Sequence, residues 1–177
     1  TTTDTLSLHD ALPISVEAFV PDRQRDGYGL NADRVRELAG RGVRLLITLD
    51  CGTRSLDEAR LAASLGMDLV VIDHHEVGPE LPDVAALVNP CRADCTFPFK
   101  HLASVGLAFY FAGALRRALA GADWPGPLPD LRDLLDLVAL GTVADIVPLV
   151  QDNRVFTTHG LRRINQRPRF GMEIGRA

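Results

Sequence analysis

Basic charge, cysteine and long apolar runs are all scarce in this sequence, and each scarcity excludes something. Nineteen Lys and Arg against 23 Asp and Glu leave a net charge of −4. That argues against a nucleic-acid grip built from the charge of this segment alone, because such surfaces are basic. It leaves a metal site open, since carboxylates are needed there and a bound cation reverses the local field. The three cysteines, Cys51, Cys91 and Cys95, are too few for a disulfide framework and suit a reducing, cytoplasmic setting. Cys91 and Cys95 are spaced like half of a zinc site, but no second pair completes it. No apolar run approaches the roughly 20 residues that cross a bilayer. The opening residues lack the basic stretch and apolar core of a secretory signal. There is no internal repeat and no low-complexity tract.

What is present is ordinary globular material. Apolar residues make up 46% and charged residues 24%, enough for one domain with a core, or for a piece of a longer protein. The two ends stand apart from the rest. Asp10 to Ile14 resembles the translation of a common sequencing adapter, and Glu173 to Ala177 that of its reverse complement. Residues 1–15 and 170–177 are therefore expected to be non-native tails around a partial domain, 16–169.

Within that span the pattern alternates between strands and helices. Val16 to Val20 alternates like a short strand. Pro21 opens a polar loop to Leu30 whose Gly27 and Gly29 flank Tyr28; it reads equally as a connection or as a substrate-facing loop. Asn31 caps a helix to about Ala39. Val43 to Leu49 is the next strand and ends at Asp50-Cys51-Gly52. Ser55 and Glu58 form a capping box for a helix over Leu56 to Leu65. The run Leu69 to Ile72 reads as a strand buried on both faces, and it stops at Asp73-His74-His75. A strand–helix–strand unit with short connections makes its strands parallel, so Asp50 and the Asp73 triplet converge at one edge of the sheet. Val84 to Val88 is a further short strand. Leu102 to Leu119 carries apolar residues around most of its circumference and is expected to be buried. Asp130 caps a helix from Leu131 to about Ala144, which ends at a third acid, Asp145. A last amphipathic helix covers Asn153 to Asn165. The expected class is α/β, a mostly parallel sheet with flanking helices and a largely helical C-terminal part.

Asp50, His74 and Asp145 offer one imidazole and two carboxylates, a set suited to Mn²⁺, Mg²⁺ or iron. One carboxylate can bridge two metals that clamp the oxygens of a phosphoryl displacement. A histidine ligand needs a partner for its other ring nitrogen, and the neighbouring Asp73 is a candidate. His75, if not a ligand, can donate to a phosphate oxygen. His101 and His159 read as surface or capping residues, Trp124 as a loop anchor and Tyr110 as core. Arg162, Arg163, Arg167 and Arg169 form a modest basic patch that reads as a solvated helix face.

The triplet Asp73-His74-His75 after an apolar strand resembles the signature of the DHH phosphoesterase superfamily. Asp50-Cys51-Gly52 is similar to its preceding acid motif, where Asp-Asn-Gly is more usual, and Gly141 to Leu149 to its following one. Asp26 to Leu30, Asn89-Pro90, Cys95 to Pro98 and Val105 to Tyr110 resemble the bacterial single-strand-specific DNA exonucleases within that superfamily. The resemblance implies 5′-to-3′ hydrolysis of single-stranded DNA with Mn²⁺ or Mg²⁺, in recombination and repair, with single-strand-binding protein as a possible partner. Asp50 would then bridge the metals, with His74 and Asp145 as further ligands. His75 would face the scissile phosphate, and Asp73 would support the histidines. Arg23, Gly27, Tyr28 and Gly106 would meet the substrate. The superfamily also has an Asp-x-Asp motif upstream, which this sequence does not supply, so this chain alone is expected to be inactive. Ser104 stands where glycine is more common. The alternatives are another DHH phosphoesterase (an oligoribonuclease, a phosphatase for 3′-phosphoadenosine phosphate, a family II pyrophosphatase) or a non-catalytic scaffold that binds single strands.

Overall fold

Three short parallel strands carry the arrangement. The computed structural model describes residues 15–21, 27, 29–122, 124–166, 169 and 171–172. Of the expected tails at 1–15 and 170–177, residues 1–14, 170 and 173–177 lie outside these residues, as do Arg23, Tyr28 and Arg167. The chain runs α1 (Ala32–Gly40), β1 (Leu45–Leu49), α2 (Leu56–Ser64), β2 (Asp68–Ile72), β3 (Ala86–Val88) and α3 (Ser104–Gly121). A 3₁₀ turn (Leu131–Leu134), α4 (Leu135–Ala144) and α5 (Gln151–Gln166) follow. The strand order is β1-β2-β3, all parallel, with Leu45 opposite Asp68 and Val70 opposite Ala86. The α/β class expected from the strand–helix–strand pattern is the one observed.

The alternation of side chains divides the sheet into two faces. Leu69 and Val71 pack with Ala59 of α2 and with Leu30 and Leu46, beside a second cluster in which Val35 and Leu38 of α1 meet Ala62 and Met67. On the opposite face Ile72 joins Phe99, Leu102, Leu107, Val138 and Phe156, which tie β2 to α3, α4 and α5. β1 is the outer strand among the described residues. Its Leu45, Ile47 and Leu49 share the α3 side with Val70 and Ile72 yet remain 52%, 41% and 56% exposed.

Several local expectations change. Val16 to Val20 forms no strand, and among the described residues no strand pairs with it. It lies against α1 instead, where the Arg34 guanidinium stands 3.9 Å from the Phe19 ring centroid and Arg41 pairs with Glu17. Asn31 caps α1 as its sequence suggests, its Oδ1 accepting from Arg34 N at 2.8 Å. Ser55 precedes α2 without a side-chain cap bond, so the capping box does not form. α3 is buried only in its first turns, at Ser104, Gly106 and Leu107, while Tyr110 and Leu115 are 43% and 48% exposed. Its first turns pack under the sheet and the later ones run past it. The helix expected from Leu131 opens as a 3₁₀ turn, with Asp130 Oδ1 accepting from Arg132 N at 3.0 Å.

α4 and α5 cross in close contact at Gly160. A Cβ there would lie 2.2 Å from the Leu135 carbonyl oxygen and 2.3 Å from Ala139 Cβ. Gly141 does the same for α4 against α3, where a Cβ would lie 2.9 Å from Val105 Cγ1. The first contact seats the start and middle of α4 on α5, and the second seats its C-terminal part, which leads into Asp145, on α3.

Candidate metal centre

The parallel ladder continues one bond beyond each strand and so aims the acids. Asp50 N donates to Ile72 O at 3.0 Å, and Asp73 N donates to Val88 O at 3.0 Å. Asp50 itself adopts φ +65°, a left-handed conformation that Asp tolerates better than most residues. Gly52 follows at φ +110°, and a Cβ there would lie 2.7 Å from Thr48 Oγ1 and 3.2 Å from both Val71 methyl carbons. Only glycine fits this turn.

Asp73 is the buried hub, 1% exposed. Its Oδ1 accepts from His74 N at 2.8 Å and meets His75 Nδ1 at 2.6 Å, while Oδ2 accepts from Thr53 N at 3.1 Å. Burial pushes its carboxyl up, but the bonds from Thr53 and His75 outweigh that and hold it below the usual carboxylate range. An ionised carboxylate only accepts, so the proton between them sits on His75 Nδ1. That fixes the tautomer and turns Nε2 into the ring atom that can meet a ligand. Asn89, 3% exposed, braces the hub: its Nδ2 donates to Thr53 Oγ1 and to His75 O, both at 2.9 Å.

His74 Nε2 stands between two carboxylates, 3.3 Å from Asp50 Oδ1 and 3.4 Å from Asp145 Oδ2. The hydrogen bond from His74 holds Asp50 below its ordinary pKa, and the same contact raises His74 above 6.5. Asp145 moves the other way: burial raises it, and the charge of Asp50 adds to that. Donor atoms of Asp50, His74 and His75 all lie within 4.8 Å of one another, and Asp145 joins them through His74. Two mutually repelling carboxylates and two imidazoles form a donor set that a divalent cation satisfies, because its charge relieves the repulsion. The residues present fit such an ion.

The structure thus brings together Asp50, Asp73, His74, His75 and Asp145. It does not bring Gly106 to them: that residue is buried in the helix packing, where a Cβ would meet Leu102 Cδ2 at 3.1 Å and Phe156 Cε2 at 3.4 Å. Gly27 lies exposed at φ +79° in the loop before α1. Cys51 lines a cavity of about 650 Å³ with Gly29, Thr53, Arg54, Glu58, Asp73 and His75. Burial, then the charges of Asp73 and Asp50, push its thiol up to about 11, so it stays uncharged at neutral pH. A second cavity of about 440 Å³ lies between Asp50 and Asp145, walled by Leu49, Ser104, Val105, Ala108 and Gly141. Thr53 and Asn89 brace the hub, a role that the sequence pattern does not single out. Their signal is a polar residue beside a turn glycine or proline, which many plain loops share. Cys91 and Cys95 are free thiols, and Cys91 Sγ approaches His74 O at 3.3 Å.

The chain belongs to the DHH family: the family model described as the N-terminal domain matches residues 4–142. Among its relatives, the single-stranded-DNA-specific exonuclease RecJ of Bacillus subtilis is 45% identical over 174 residues, 97% of this chain and 21% of that protein. RecJ of Escherichia coli is 46% identical over 154 residues, 85% of this chain and 27% of that protein. A crystal structure of exonuclease RecJ bound to manganese superposes with a TM-score of 0.70 at 33% identity, covering 82% of this chain and 35% of that one. RecJ from Thermus thermophilus in complex with Mn²⁺ superposes with a TM-score of 0.61, also at 33% identity, over 75% of this chain and 19% of that one. The chain therefore spans only a minor part of the relatives it matches.

Proposed function

We propose that residues 16–169 form part of the catalytic DHH domain of a cytoplasmic exonuclease that hydrolyses single-stranded DNA from the 5′ end, in recombination and repair. The observation that carries this reading is His74 Nε2 held between Asp50 and Asp145 at 3.3 and 3.4 Å, at the carboxyl edge of a parallel sheet. The RecJ relatives support the substrate, and the manganese-bound structures support Mn²⁺, with Mg²⁺ as the other hard cation the carboxylates suit. In this reading Asp50, His74 and Asp145 hold the metal, Asp50 as the bridging carboxylate. When bound, a divalent ion supplies charge stabilisation for the phosphodiester and a more acidic water.

The protein's own groups do the rest. Asp73 locks His75 so that its Nε2 addresses a non-bridging phosphate oxygen, and Thr53 and Asn89 keep that lock from turning. Arg23, Gly27 and Tyr28 are proposed to meet the strand on the approach to the metal. A protein that coats single strands is the partner this activity calls for.

Replacing the bridging acid is the direct test. In the full-length protein Asp50→Ala should abolish nuclease activity, with circular dichroism and solubility unchanged. A fully active variant refutes the assignment.

A further inference from the structure

The segment that follows Asp145 holds an unlikely backbone. Ile146 sits at φ +56° while 90% exposed, and Gln151 at φ +45°, so two non-glycine residues in the left-handed region bracket four residues of irregular chain. A β-branched residue adopts that region only when its surroundings over-determine it. Between the two outliers lies Pro148, whose carbonyl oxygen accepts from Asn153 Nδ2 at 3.0 Å. The same nitrogen donates to His101 O at 2.6 Å. Asn153 is fully buried, and its Oδ1 meets no donor among the described residues, so within them the side chain acts through its nitrogen.

The two carbonyls belong to the two segments that run on from residues lining the cavity beside the metal centre. Pro148 lies three residues after Asp145 and His101 three before Ser104; Asp145 and Ser104 line the cavity, whereas the two carbonyls stand behind it. Taking this centre to be the metal site proposed above, we infer that Asn153 is a positioning residue for Asp145: one buried amide nitrogen ties the strained loop to the start of α3 and so sets the distance from Asp145 to Asp50 and His74. It touches no donor of the metal set itself. Residues that orient metal ligands in this way typically cost about 10–100-fold in metal affinity when replaced.

The test is Mn²⁺ affinity of the whole chain, followed by the free-ion EPR signal, with three variants. Asn153→Leu keeps the shape and charge and removes both donors. Asn153→Ser is milder and keeps one. Asp136→Asn is the stability control, because it weakens the pairing of the buried Asp136 with Arg169 (2.7 Å) at the far end of α4. The expected result is a Kd for Mn²⁺ raised about tenfold in Asn153→Leu and less in Asn153→Ser, with Asp136→Asn within about twofold of the parent. Asn153 variants that lower Tm but leave the Kd with the control overturn the inference alone. A parent chain that binds no Mn²⁺ overturns the metal reading, and the inference falls with it. Hydrogen exchange on the unmutated chain needs no variant: the Val150 and Arg154 amides, bonded within this clasp, should exchange as slowly as the body of α5, and loop-like rates overturn the inference.

Discussion

Asp73 and Asp145 stand in one site but are held by different kinds of structure. Asp73 emerges from the end of β2, its backbone continues the ladder to Val88, and its carboxylate accepts from Thr53, His74 and His75. Asp145 ends α4, its carboxylate lies 3.4 Å from His74, and Ile146 behind it is in a left-handed conformation. The first acid is placed by local hydrogen bonds and held ionised. The second is placed by helix packing, and burial raises its pKa. The sheet half is therefore built before any ligand arrives, whereas the helical half depends on how α4, α5 and α3 settle against each other.

That contrast breaks most severely at Gly160. Gly160→Ala forces α4 and α5 apart, since the new methyl would lie 2.2 Å from Leu135 O. The expected cost is about 3 kcal/mol, a fall in Tm on the order of 6–12 °C by thermal melt; an unchanged melt would show that the crossing is not close. The sheet half should respond next, to Asp73→Asn. Losing charge-assisted acceptance from buried donors should cost about 2 kcal/mol in urea unfolding at pH 7. Because the folded pKa of Asp73 lies below its ordinary 3.8, its contribution is complete above that value and disappears as pH falls through the lower one. The gap between parent and variant should close under acid, and a constant gap would deny the linkage.

A finer comparison uses His74, which touches both halves. Its raised pKa comes first from the bond with Asp50 and only then, against the opposing effect of burial, from the charge of Asp145. NMR titration of the ring should show Asp50→Asn lowering that pKa more than Asp145→Asn; the reverse order would contradict the geometry. The proton-linked stabilisation is present below 6.5 and lost as pH rises through the folded value. Mn²⁺, which needs the neutral ring, should accordingly begin to weaken above pH 6.5 as acid is added. The smallest effect separates two helix starts. Asn31→Ala should cost about 1 kcal/mol, and Ser55→Ala less than about 0.3, because only Asn31 makes a cap bond.

The same division explains what could be read from residues alone. Asp50 and Asp73-His74-His75 were legible because a parallel strand pair has one carboxyl edge, and everything needed to see it lies within Val43 to His75. Asp145 was legible as the end of an apolar helix. The brace of Thr53 and Asn89 was not, since a loop asparagine and threonine look alike whether buried or wet. The expected strand at Val16 to Val20 failed because alternation states a preference but supplies no neighbour. The burial of α3 was overestimated because composition around a helix does not say how far its partner extends. Gly106 was placed with the substrate on a motif, and packing against Leu102 and Phe156 gives it a steric reason instead.

β1 carries a practical consequence. A strand that is outermost among the described residues, bearing Leu45, Ile47 and Leu49 on a half-exposed face, is a template for another copy of itself. Leu140, Val143 and Ile146 are further exposed apolar side chains. The isolated chain is thus a sticky molecule whose behaviour depends on how much of it is in the tube, and dilution is as much a control in its study as temperature or pH.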